Sequence, residues 1–359
     1  MSDTMKERRT PAYGDQAALM SFADEVLPSL QLDDGLFCFD RTWADPTLRG
    51  SSVRYSIMVL LGLTRRASQG GSVSTDIEAL HRRIHRERTH LGVGDLGLLL
   101  WADTRLGDPV ASQTLALLER RAMAPGALDD LVGMEIGWLT CGAVAGHAAG
   151  LRAGALVVRA IDELQRRSTS TPLFRHSGAH NRRAALPNFA TQVYTLLALS
   201  ELARHDLDST ALARAVRLAD RLVELQRPDG GWPWLFNADR GAVVEPYEIY
   251  SVHQDAMAPM AFFALDEVLG EERYRPAVLE GLRWCFGHNE LSFNFYDAQI
   301  GFAHRSIRRR RASARIDLWA NAALGSTRSR LPRLDVGGRE INPTCRPYHL
   351  GWILEAWSR

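Results

Sequence analysis

Apolar residues recur with helical spacing along most of this chain, and the helices that they predict are of two kinds. One kind is apolar on nearly every side and rich in small residues, as in MEIGWLTCGAVAG from Met134, which predicts a helix buried on most sides. The other kind is amphipathic and rich in arginine, as in DIEALHRRIHRER from Asp76, which predicts one face in water. The two kinds alternate along the chain, and clear strands are scarce.

This alternation predicts a ring of helical hairpins. We predict helices near 22–30, 52–66, 74–88, 93–105, 109–122, 127–145, 150–167, 186–203, 209–226, 250–269, 273–287 and 346–357. With the short first helix counted as an outer one, six outer and six inner helices result, which is the number needed for six hairpins closed into a ring. Between the first two helices, LDDGLFCFDRTW predicts an aromatic loop.

The interval 288–344 does not follow the hairpin rhythm. It predicts two short strands, a helix near 314–324 and a tail rich in proline and glycine. We interpret it as an elaboration that lies over one mouth of the ring, so that residues 1–359 form a single domain of the all-α class.

Each apolar helix begins with polar side chains, and these are the first candidates for a functional site. In a closed ring of hairpins the inner helices point the same way, so their first turns would converge on one mouth and form a cleft there. The step from Tyr55 to Asp95 and the step from Asp95 to Glu135 are both 40 residues, close to the length of one two-helix unit. The polar residues at the helix starts are Arg54, Tyr55, Asp95, Glu135, Asn188, Gln192, His253, Asp255, Arg346, Tyr348 and His349.

The stretch 225–261 concentrates aromatic and ionisable side chains between two predicted helices. We predict a platform for sugar rings, because the flat C–H faces of a pyranose pack well on aromatic rings such as Trp232, Trp234, Phe236, Tyr247 and Tyr250. The alternative is that Trp232 and Trp234 pack at a hairpin turn.

Composition and missing motifs restrict the function classes. Hydrophobic residues make up 46% and charged residues 24% of the chain, and the formal net charge of +1 argues against a general nucleic-acid binder. The four cysteines are far apart, so neither a disulfide framework nor a zinc knuckle is expected. No GxGxxG follows a strand, and no P-loop, HExxH or GxSxG occurs, so we predict no cofactor and no metal. Without an apolar leader or a stretch of about 18 apolar residues, a cytoplasmic protein with no membrane span is expected.

The predicted architecture and several strings of residues carry a family resemblance. The chain resembles the (α/α)6 toroid proteins, which include six-hairpin glycosidases, uronate lyases and epimerases, and the terpenoid-cyclase and protein-prenyltransferase toroids. LQRPDGGWPW resembles the Gln, Asp-Gly, Trp turn between hairpins of such rings, which implies that Gln226 caps a helix end and Trp232 packs over it. YSVHQDAM from Tyr250, NEL from Asn289 and RSIRR from Arg305 resemble a group associated with bacterial polysaccharide biosynthesis.

Together, the resemblance and the candidate residues predict a carbohydrate-active enzyme that acts on a glycan or glycan precursor in bacterial surface polysaccharide metabolism. A glycoside hydrolase needs two carboxyl groups about 5 to 9.5 Å apart. Asp255 is the first candidate and Glu245 the second, with Glu135, Asp95 and Glu248 as further carboxylates near the cleft. These acids could instead be satisfied polar groups that tie neighbouring helices together.

His253 suggests a second reaction, of the uronate lyase or epimerase type. Such enzymes remove the proton beside a carboxylate with His or Tyr as base and acid, while Arg or Asn neutralises the carboxylate. Arg346, Arg54 or Arg305 would be that cationic partner. The candidate substrate-binding residues are Trp232, Trp234, Tyr247, Tyr250, Asn188, Gln192, Arg305, Arg346, Tyr348 and His349.

A concentrated basic run consists of Arg305, Arg308, Arg309, Arg310, Arg311 and Arg315. It is interpreted either as a site for an anionic group, such as a phosphate, an anionic glycan or a lipid headgroup, or as a solvated basic loop. Two other function classes stay open: a non-catalytic glycan-binding or assembly protein, and a terpenoid-cyclase-like enzyme. Asp129 and Asp130 resemble the metal-binding aspartates of terpenoid synthases but serve equally well as helix-capping acids.

Three substitutions express these expectations. Asp255→Asn and His253→Ala are each expected to abolish function in a protein that still folds. Trp232→Ala is expected mainly to destabilise the fold.

Overall fold

The computed structural model describes residues 16–178, 181, 183–310 and 338–359. This part of the chain contains twelve α-helices, which lie close to the predicted positions. They are α1 Gln16–Val26, α2 Val53–Ser68, α3 Ile77–His85, α4 Val93–Leu106, α5 Ala111–Ala122, α6 Gly133–Ala148, α7 Gly154–Arg166, α8 Phe189–Arg204, α9 Ala211–Leu225, α10 Ala258–Leu269, α11 Arg275–Cys285 and α12 Pro347–Trp357. A 3-10 turn, Leu27–Leu30, follows α1, and a π-helical turn, His253–Met257, precedes α10.

The even-numbered helices form a closed inner ring. Each packs against the next, from α2 through α4, α6, α8 and α10 to α12, and α12 returns to α2. The odd-numbered helices lie outside: α1 packs on α12, and α3, α5, α7, α9 and α11 pack on α2, α4, α6, α8 and α10. The predicted ring of six helical hairpins is confirmed.

Glycines let the inner helices approach each other closely. A Cβ atom on Gly62 of α2 would lie 2.0 Å from the carbonyl oxygen of Gly351 on α12. A Cβ atom on Gly142 of α6 would lie 2.1 Å from the carbonyl oxygen of Gly97 on α4. The small residues of the apolar helices therefore permit the backbones of neighbouring inner helices to touch.

Short strands join the ends of the helices. The strands are β1 Cys38–Thr42, β2 Asp45–Ser51, β3 Leu235–Asn237, β4 Ala242–Glu245, β5 Ile249–Tyr250, β6 Tyr296–Asp297, β7 Phe302–Ala303, β8 Ser306–Arg309, β9 Arg339–Asn342 and β10 Thr344–Cys345. They make four antiparallel groups, in the orders β10-β1-β2, β3-β4, β5-β8-β9 and β6-β7.

The stretch predicted as an aromatic loop after the first helix is in part a β-hairpin. Strand β1 pairs with β2, and Arg41 also lies opposite Cys345 of β10. Because this second partner lies about three hundred residues away along the chain, local sequence patterns gave no sign of it.

The interval 288–344 lies partly outside the described residues, and the helix predicted near 314–324 falls there. Its described part contains more strands than predicted, and β8 pairs with β5 directly before the π-helical turn. The interval is thereby attached to the end of the ring at which the inner helices begin, which we call the N-terminal mouth. Among the described residues, no helix has both the length and the apolar character needed to cross a membrane.

Candidate active site

A cavity of about 210 Å³ opens at the N-terminal mouth. First-turn residues of α2, α6, α8 and α12 meet there with the π-helical turn, as the ring geometry predicts. The lining residues are Arg54, Tyr55, Met58, Met134, Trp138, Asn188, Ala190, Tyr194, Trp234, Tyr250, His253, Met257, Arg305, Arg346 and Tyr348.

Two of the lining arginines, Arg305 and Arg346, have no carboxylate partner among the described residues. The Arg305 guanidinium lies 4.8 Å from the centre of the Tyr250 ring. Burial opposes its charge, but charge interactions with Tyr348, Tyr250, Tyr55 and Glu248 raise the pKa of Arg305 above its usual value. Arg346 lies 4.3 Å from the centre of the Phe39 ring and donates to the Tyr55 hydroxyl, while its buried Nε has no hydrogen-bond partner in the described structure. Both cations are therefore available to an anionic ligand.

Arg54, the third lining arginine, is neutralised by two acids. Its Nε donates to Asp95 Oδ1 at 2.5 Å, and its Nη2 lies 3.2 Å from Asp95 Oδ2 and 3.3 Å from Glu135 Oε1. The two acids stand in the first turns of the adjacent helices α4 and α6. Arg54 thus holds a pair of carboxylates at the edge of the cavity.

Aromatic rings form the walls of the cavity. Trp234 stacks on His253 with ring centres 5.7 Å apart and an interplanar angle of 9°. Tyr250 lies 5.0 Å from each of these two rings, and Tyr55 and Tyr348 lie 4.6 Å apart on the α2 and α12 side. The cavity therefore presents flat apolar faces between its cations.

His253 is held neutral. Burial, and then the charges of Arg305 and His349, lower its pKa to about 3. Its Nδ1 is buried and has no hydrogen-bond partner in the described structure. Burial also raises the pKa of Tyr250, with Glu248 adding to the effect, and that of Tyr55, with Tyr348 adding to it. The site therefore combines an uncharged imidazole with protonated phenols.

Asp255 is two residues further along the π-helical turn and does not line the cavity. Its side chain is fully buried and accepts from the Tyr296 hydroxyl at 2.5 Å, from His349 Nε2 at 2.7 Å and from the Cys285 thiol at 3.2 Å. The turn directs His253 into the cavity and Asp255 toward α11 and α12. The first candidate carboxylate and His349 therefore lie behind the cavity as an internal polar cluster.

Glu245 and Tyr247 also lie outside this cavity. Glu245 is buried and pairs with Arg309, whose Nη2 lies 3.1 Å from Glu245 Oε1. The centre of the Tyr247 ring lies 5.0 Å from the guanidinium group of Arg309 and 4.6 Å from that of Arg339. Its hydroxyl donates to Glu290, so this region has polar partners of its own.

Trp232 and Gln192 lie in the core. Trp232 is fully buried and stacks on Phe189 and Phe262, with ring centres 5.4 and 5.5 Å away. The amide of Gln192 exchanges two hydrogen bonds with the backbone of Phe174. Asn188 lines the cavity and also accepts from Thr191 N as the cap of α8.

Within the basic run, residues 306–309 form strand β8 rather than a solvated loop. Arg305 reaches the cavity, Arg308 pairs with Glu340 at 2.8 Å, and Arg309 is buried. The pairing of β8 with β5 and β9 accounts for this order. Arg311 and Arg315 lie outside the described residues.

Several lining residues were missed by the sequence analysis. Met58, Trp138, Tyr194 and Met257 lie about one turn further into the inner helices than the polar starts, whereas Met134 and Ala190 lie in the first turns of α6 and α8. An aromatic residue or methionine three or four positions after a polar helix start is a signal that could have found several of them.

No protein-family model and no curated protein matches this sequence. Solved structures match nearly the whole chain. An unsaturated glucuronyl hydrolase specific for heparin has a TM-score of 0.62 at 13% identity, with 95% of each chain covered. A sugar epimerase from a ruminal bacterium has a TM-score of 0.63 at 10% identity, covering 95% of this chain and 97% of that one. The unsaturated glucuronyl hydrolase of Bacillus sp. GL1 has a TM-score of 0.62 at 12% identity, covering 97% and 96%. At such identities the likeness concerns the fold, and it confirms that this chain is an (α/α)6 toroid.

Proposed function

We propose that the protein is an enzyme that binds an acidic sugar unit of a glycan in the cavity at the N-terminal mouth and transfers a proton at the carbon beside its carboxylate. The observation that carries this proposal is that Arg305 and Arg346 line an aromatic cavity without carboxylate partners in the described part of the chain.

The charges favour an anionic ligand. Buried cations are costly unless they are paired, and a planar guanidinium suits a carboxylate because it donates two parallel hydrogen bonds. The unpartnered Nε of Arg346 offers such a donor. A uronate carboxylate would neutralise the arginine charges and accept a hydrogen bond from this Nε. The rings of Trp234 and Tyr250 would pack against the sugar.

The lining chemistry favours proton transfer over direct hydrolysis. The described lining contains a histidine and four tyrosines but no carboxylate, whereas hydrolysis requires a pair of carboxyl groups. In the proposed step neutral His253 takes the proton from the carbon beside the carboxylate, and the arginines stabilise the negative charge that develops. A substrate carboxylate would offset the charge of Arg305 and so raise the low pKa of His253 toward a useful range.

The electron pair left on the carbon when His253 removes the proton can react in two ways, and these give two different products. In elimination, the pair forms a carbon–carbon double bond, the glycosidic oxygen leaves from the next carbon, and a tyrosine hydroxyl donates a proton to it. In epimerisation, a tyrosine on the opposite face returns a proton to the same carbon. Tyr250, Tyr55 and Tyr348 line the cavity and are the candidate donors.

Hydrolysis is the second candidate, and one observation favours it. Asp95 Oδ2 and Glu135 Oε1 both bond to Nη2 of Arg54, at 3.2 and 3.3 Å, so their separation is at most the sum of these distances. This upper limit permits a separation at the lower end of the span of about 5 to 9.5 Å that glycosidase carboxyl pairs show. The bond to Arg54 would have to open before either acid served as a proton donor.

The resemblance of the strings at Tyr250, Asn289 and Arg305 to a polysaccharide-biosynthesis group supports a role in bacterial surface polysaccharide metabolism as part of this proposal. The structural neighbours named above include enzymes of acidic sugars and a sugar epimerase, in line with an acidic sugar as substrate. The non-catalytic alternative predicts binding of the same ligands without turnover. The terpenoid-cyclase alternative receives no support from Asp129 and Asp130, which precede α6 and do not line the cavity.

Calorimetric titration tests the ligand class. The ligands are glucuronate and galacturonate, with glucose and galactose as their neutral counterparts. We expect only the acidic sugars to bind. Arg305→Gln and Arg346→Gln should each weaken binding about tenfold or more, because a hydrogen bond to a charged group contributes about 1.5 to 3 kcal/mol. Arg308→Gln is the matched control, since Arg308 is three residues from Arg305 and pairs with Glu340 of the neighbouring strand β9. Equal binding of neutral and acidic sugars would contradict the proposal.

Oligosaccharides that contain uronates then test the reaction in heavy water. Ultraviolet absorbance of a new double bond reports elimination, and deuterium at the carbon beside the carboxylate reports epimerisation. New reducing ends without either signal, lost in Asp95→Asn or Glu135→Gln, would transfer the assignment to hydrolysis. Binding without any of these products would favour the glycan-binding alternative.

A further inference from the structure

Three potential metal ligands converge at a place that is separate from the cavity. His81 and His85 lie one turn apart on α3, and Asp103 lies near the end of α4. Their side-chain ligand atoms all lie within 4.8 Å of one another. We propose that these three residues bind a divalent transition metal of the zinc class that fastens the outer helix α3 to the inner helix α4.

The distances suit such an ion. His81 Nε2 lies 2.7 Å and His85 Nε2 lies 2.9 Å from Asp103 Oδ1, and the two nitrogens are 3.0 Å apart. The three atoms form a nearly equilateral triangle. A point about 1.2 Å off its plane is about 2.0 to 2.2 Å from all three, which is the range of zinc bonds to histidine and carboxylate, and a spread of the three atoms to about 3.4 Å from one another gives a tetrahedral shell.

Hydrogen bonds alone do not satisfy this triangle. A carboxylate oxygen only accepts, so both imidazoles would have to carry a proton on Nε2, and two N–H groups would then face each other at 3.0 Å. If either nitrogen lacked its proton, its lone pair would face the lone pairs of the carboxylate oxygen. A cation takes a lone pair from each of the three atoms and removes this conflict.

The surroundings favour a fixed site with one open side. Thr114 Oγ1 on α5 lies 2.6 Å from Asp103 Oδ2 and orients the carboxylate. Asp108 Oδ2 is 3.6 Å from His81 Nδ1, close to where a supporting carboxylate stands behind a metal-bound histidine. Arg88 adds a positive charge 3.5 Å from His85 Nδ1 but also donates to Gln113. His81 and Asp103 are buried, while His85 is partly exposed, so a water could complete a tetrahedral shell from that side.

The position in the ring predicts a structural metal rather than a catalytic one. Asp103 follows Asp95 on α4 by eight residues, which places it about 12 Å further from the N-terminal mouth. The ligands follow none of the common motifs, and Asp103 is 18 residues from His85, so no metal was predicted from the sequence. Only the fold, in which α3 packs on α2 beside α4, brings the three side chains together.

Metal analysis of untagged protein, purified without chelators, tests the site. We expect one zinc per chain by mass spectrometry, and a visible absorption band of tetrahedral cobalt when Co²⁺ is added to chelator-treated protein. Zinc should raise the melting temperature of the chelator-treated protein by several degrees. Asp108→Asn should weaken zinc binding about 10- to 100-fold, as a change behind the ligands does.

His85→Gln should lose both the zinc and the cobalt band, whereas His90→Gln, at an exposed histidine beyond α3, should keep them. Should His85→Gln fail to fold, the cobalt titration of the unaltered protein decides the question. A cobalt spectrum like that of the free aqueous ion, or zinc binding that His85→Gln leaves unchanged, would overturn the proposal.

Discussion

His253 and Asp255 stand two residues apart on the same π-helical turn and have opposite surroundings. His253 faces the cavity beneath Trp234, and Asp255 faces a closed group of donors from Tyr296, His349 and Cys285. A π-helical turn shifts the direction of successive side chains relative to an α-helix, and such turns often occur at functional sites. At the residue scale, the candidate chemistry therefore belongs to His253, and the role of Asp255 is to hold three side chains behind it.

We expect Asp255→Asn to lower the free energy of unfolding by about 2 to 3 kcal/mol, because it weakens hydrogen bonds to a charged acceptor. Denaturant unfolding measures this. Asp239→Asn, at an exposed ion pair with Arg175, is the control and should change little. An Asp255→Asn protein of unchanged stability would show that Asp255 does not organise this cluster, and the sequence-based expectation of a purely functional loss would then stand.

The low pKa of His253 predicts a contribution to acid sensitivity. Its pKa falls from 6.5 to about 3 on folding, so below pH 6.5 the unfolded state takes up the proton first and the native state loses stability as the pH falls. Relative to His253→Gln, the unaltered protein should lose up to about 1.4 kcal/mol per pH unit between these two values. Unfolding free energies measured across this range should therefore diverge for the two proteins, and parallel curves would refute the prediction. His205→Gln, at an exposed histidine, is the control.

Inner helices are distinguished from outer ones by backbone contact at glycine. Gly142 and Gly146 lie on the same helix, one turn apart, and have different neighbours. A Cβ on Gly142 would meet the Gly97 carbonyl, whereas a Cβ on Gly146 would meet a Leu100 methyl group at an ordinary 3.4 Å. Close backbone packing between inner helices is thus concentrated at particular points where two neighbouring helices cross.

Gly142→Ala is expected to destabilise the protein by about 1 to 3 kcal/mol or more, since a backbone carbonyl has little freedom to yield. Gly146→Ala, as the matched substitution, should be neutral or stabilise the helix by up to about 1 kcal/mol. Thermal and denaturant unfolding of both variants checks this. Equal effects at the two positions would mean that the α4 and α6 backbones are not in contact at Gly97.

Helix α12 closes the ring, although it is the last element of the chain. It packs on α2, α10 and α1, and Arg105 of α4 forms an ion pair with its Glu355. Its Trp357 donates to the Asp255 carbonyl at 2.6 Å. At the scale of the whole molecule, ring closure, the internal polar cluster and two lining residues of the cavity, Arg346 and Tyr348, all depend on this terminal segment.

Removal of residues 346–359 should therefore abolish cooperative thermal unfolding, because every inner helix of a ring needs a neighbour on both sides. Removal of Arg359 alone, which breaks an ion pair with Glu267 at the surface, should cost no more than about 1 kcal/mol. Calorimetric scans of both truncated proteins measure the difference. A sharp transition in the longer truncation would show that five hairpins and α1 are stable as an open arc.

Local patterns in the sequence determined the helices, their two kinds and the number of hairpins. Amphipathic spacing and small apolar residues act within single turns, so the pattern of Met134 to Gly146 is sufficient to indicate a buried helix. The direction of the inner helices followed from the ring, and it correctly placed Arg54, Asn188, His253, Arg346 and Tyr348 at one mouth.

Tertiary structure alone decided which of these polar groups line the cavity and which bond to each other. The buried position of Asp255, the bond of Arg54 to Asp95 and Glu135, and the meeting of His85 with Asp103 depend on side chains from different hairpins. Such pairs leave no periodic signal, because their spacing along the chain is set by loop lengths rather than by helix geometry. The position of Arg305 is of the same kind, since strand β8, which begins at the next residue, meets its partners β5 and β9 only through folding.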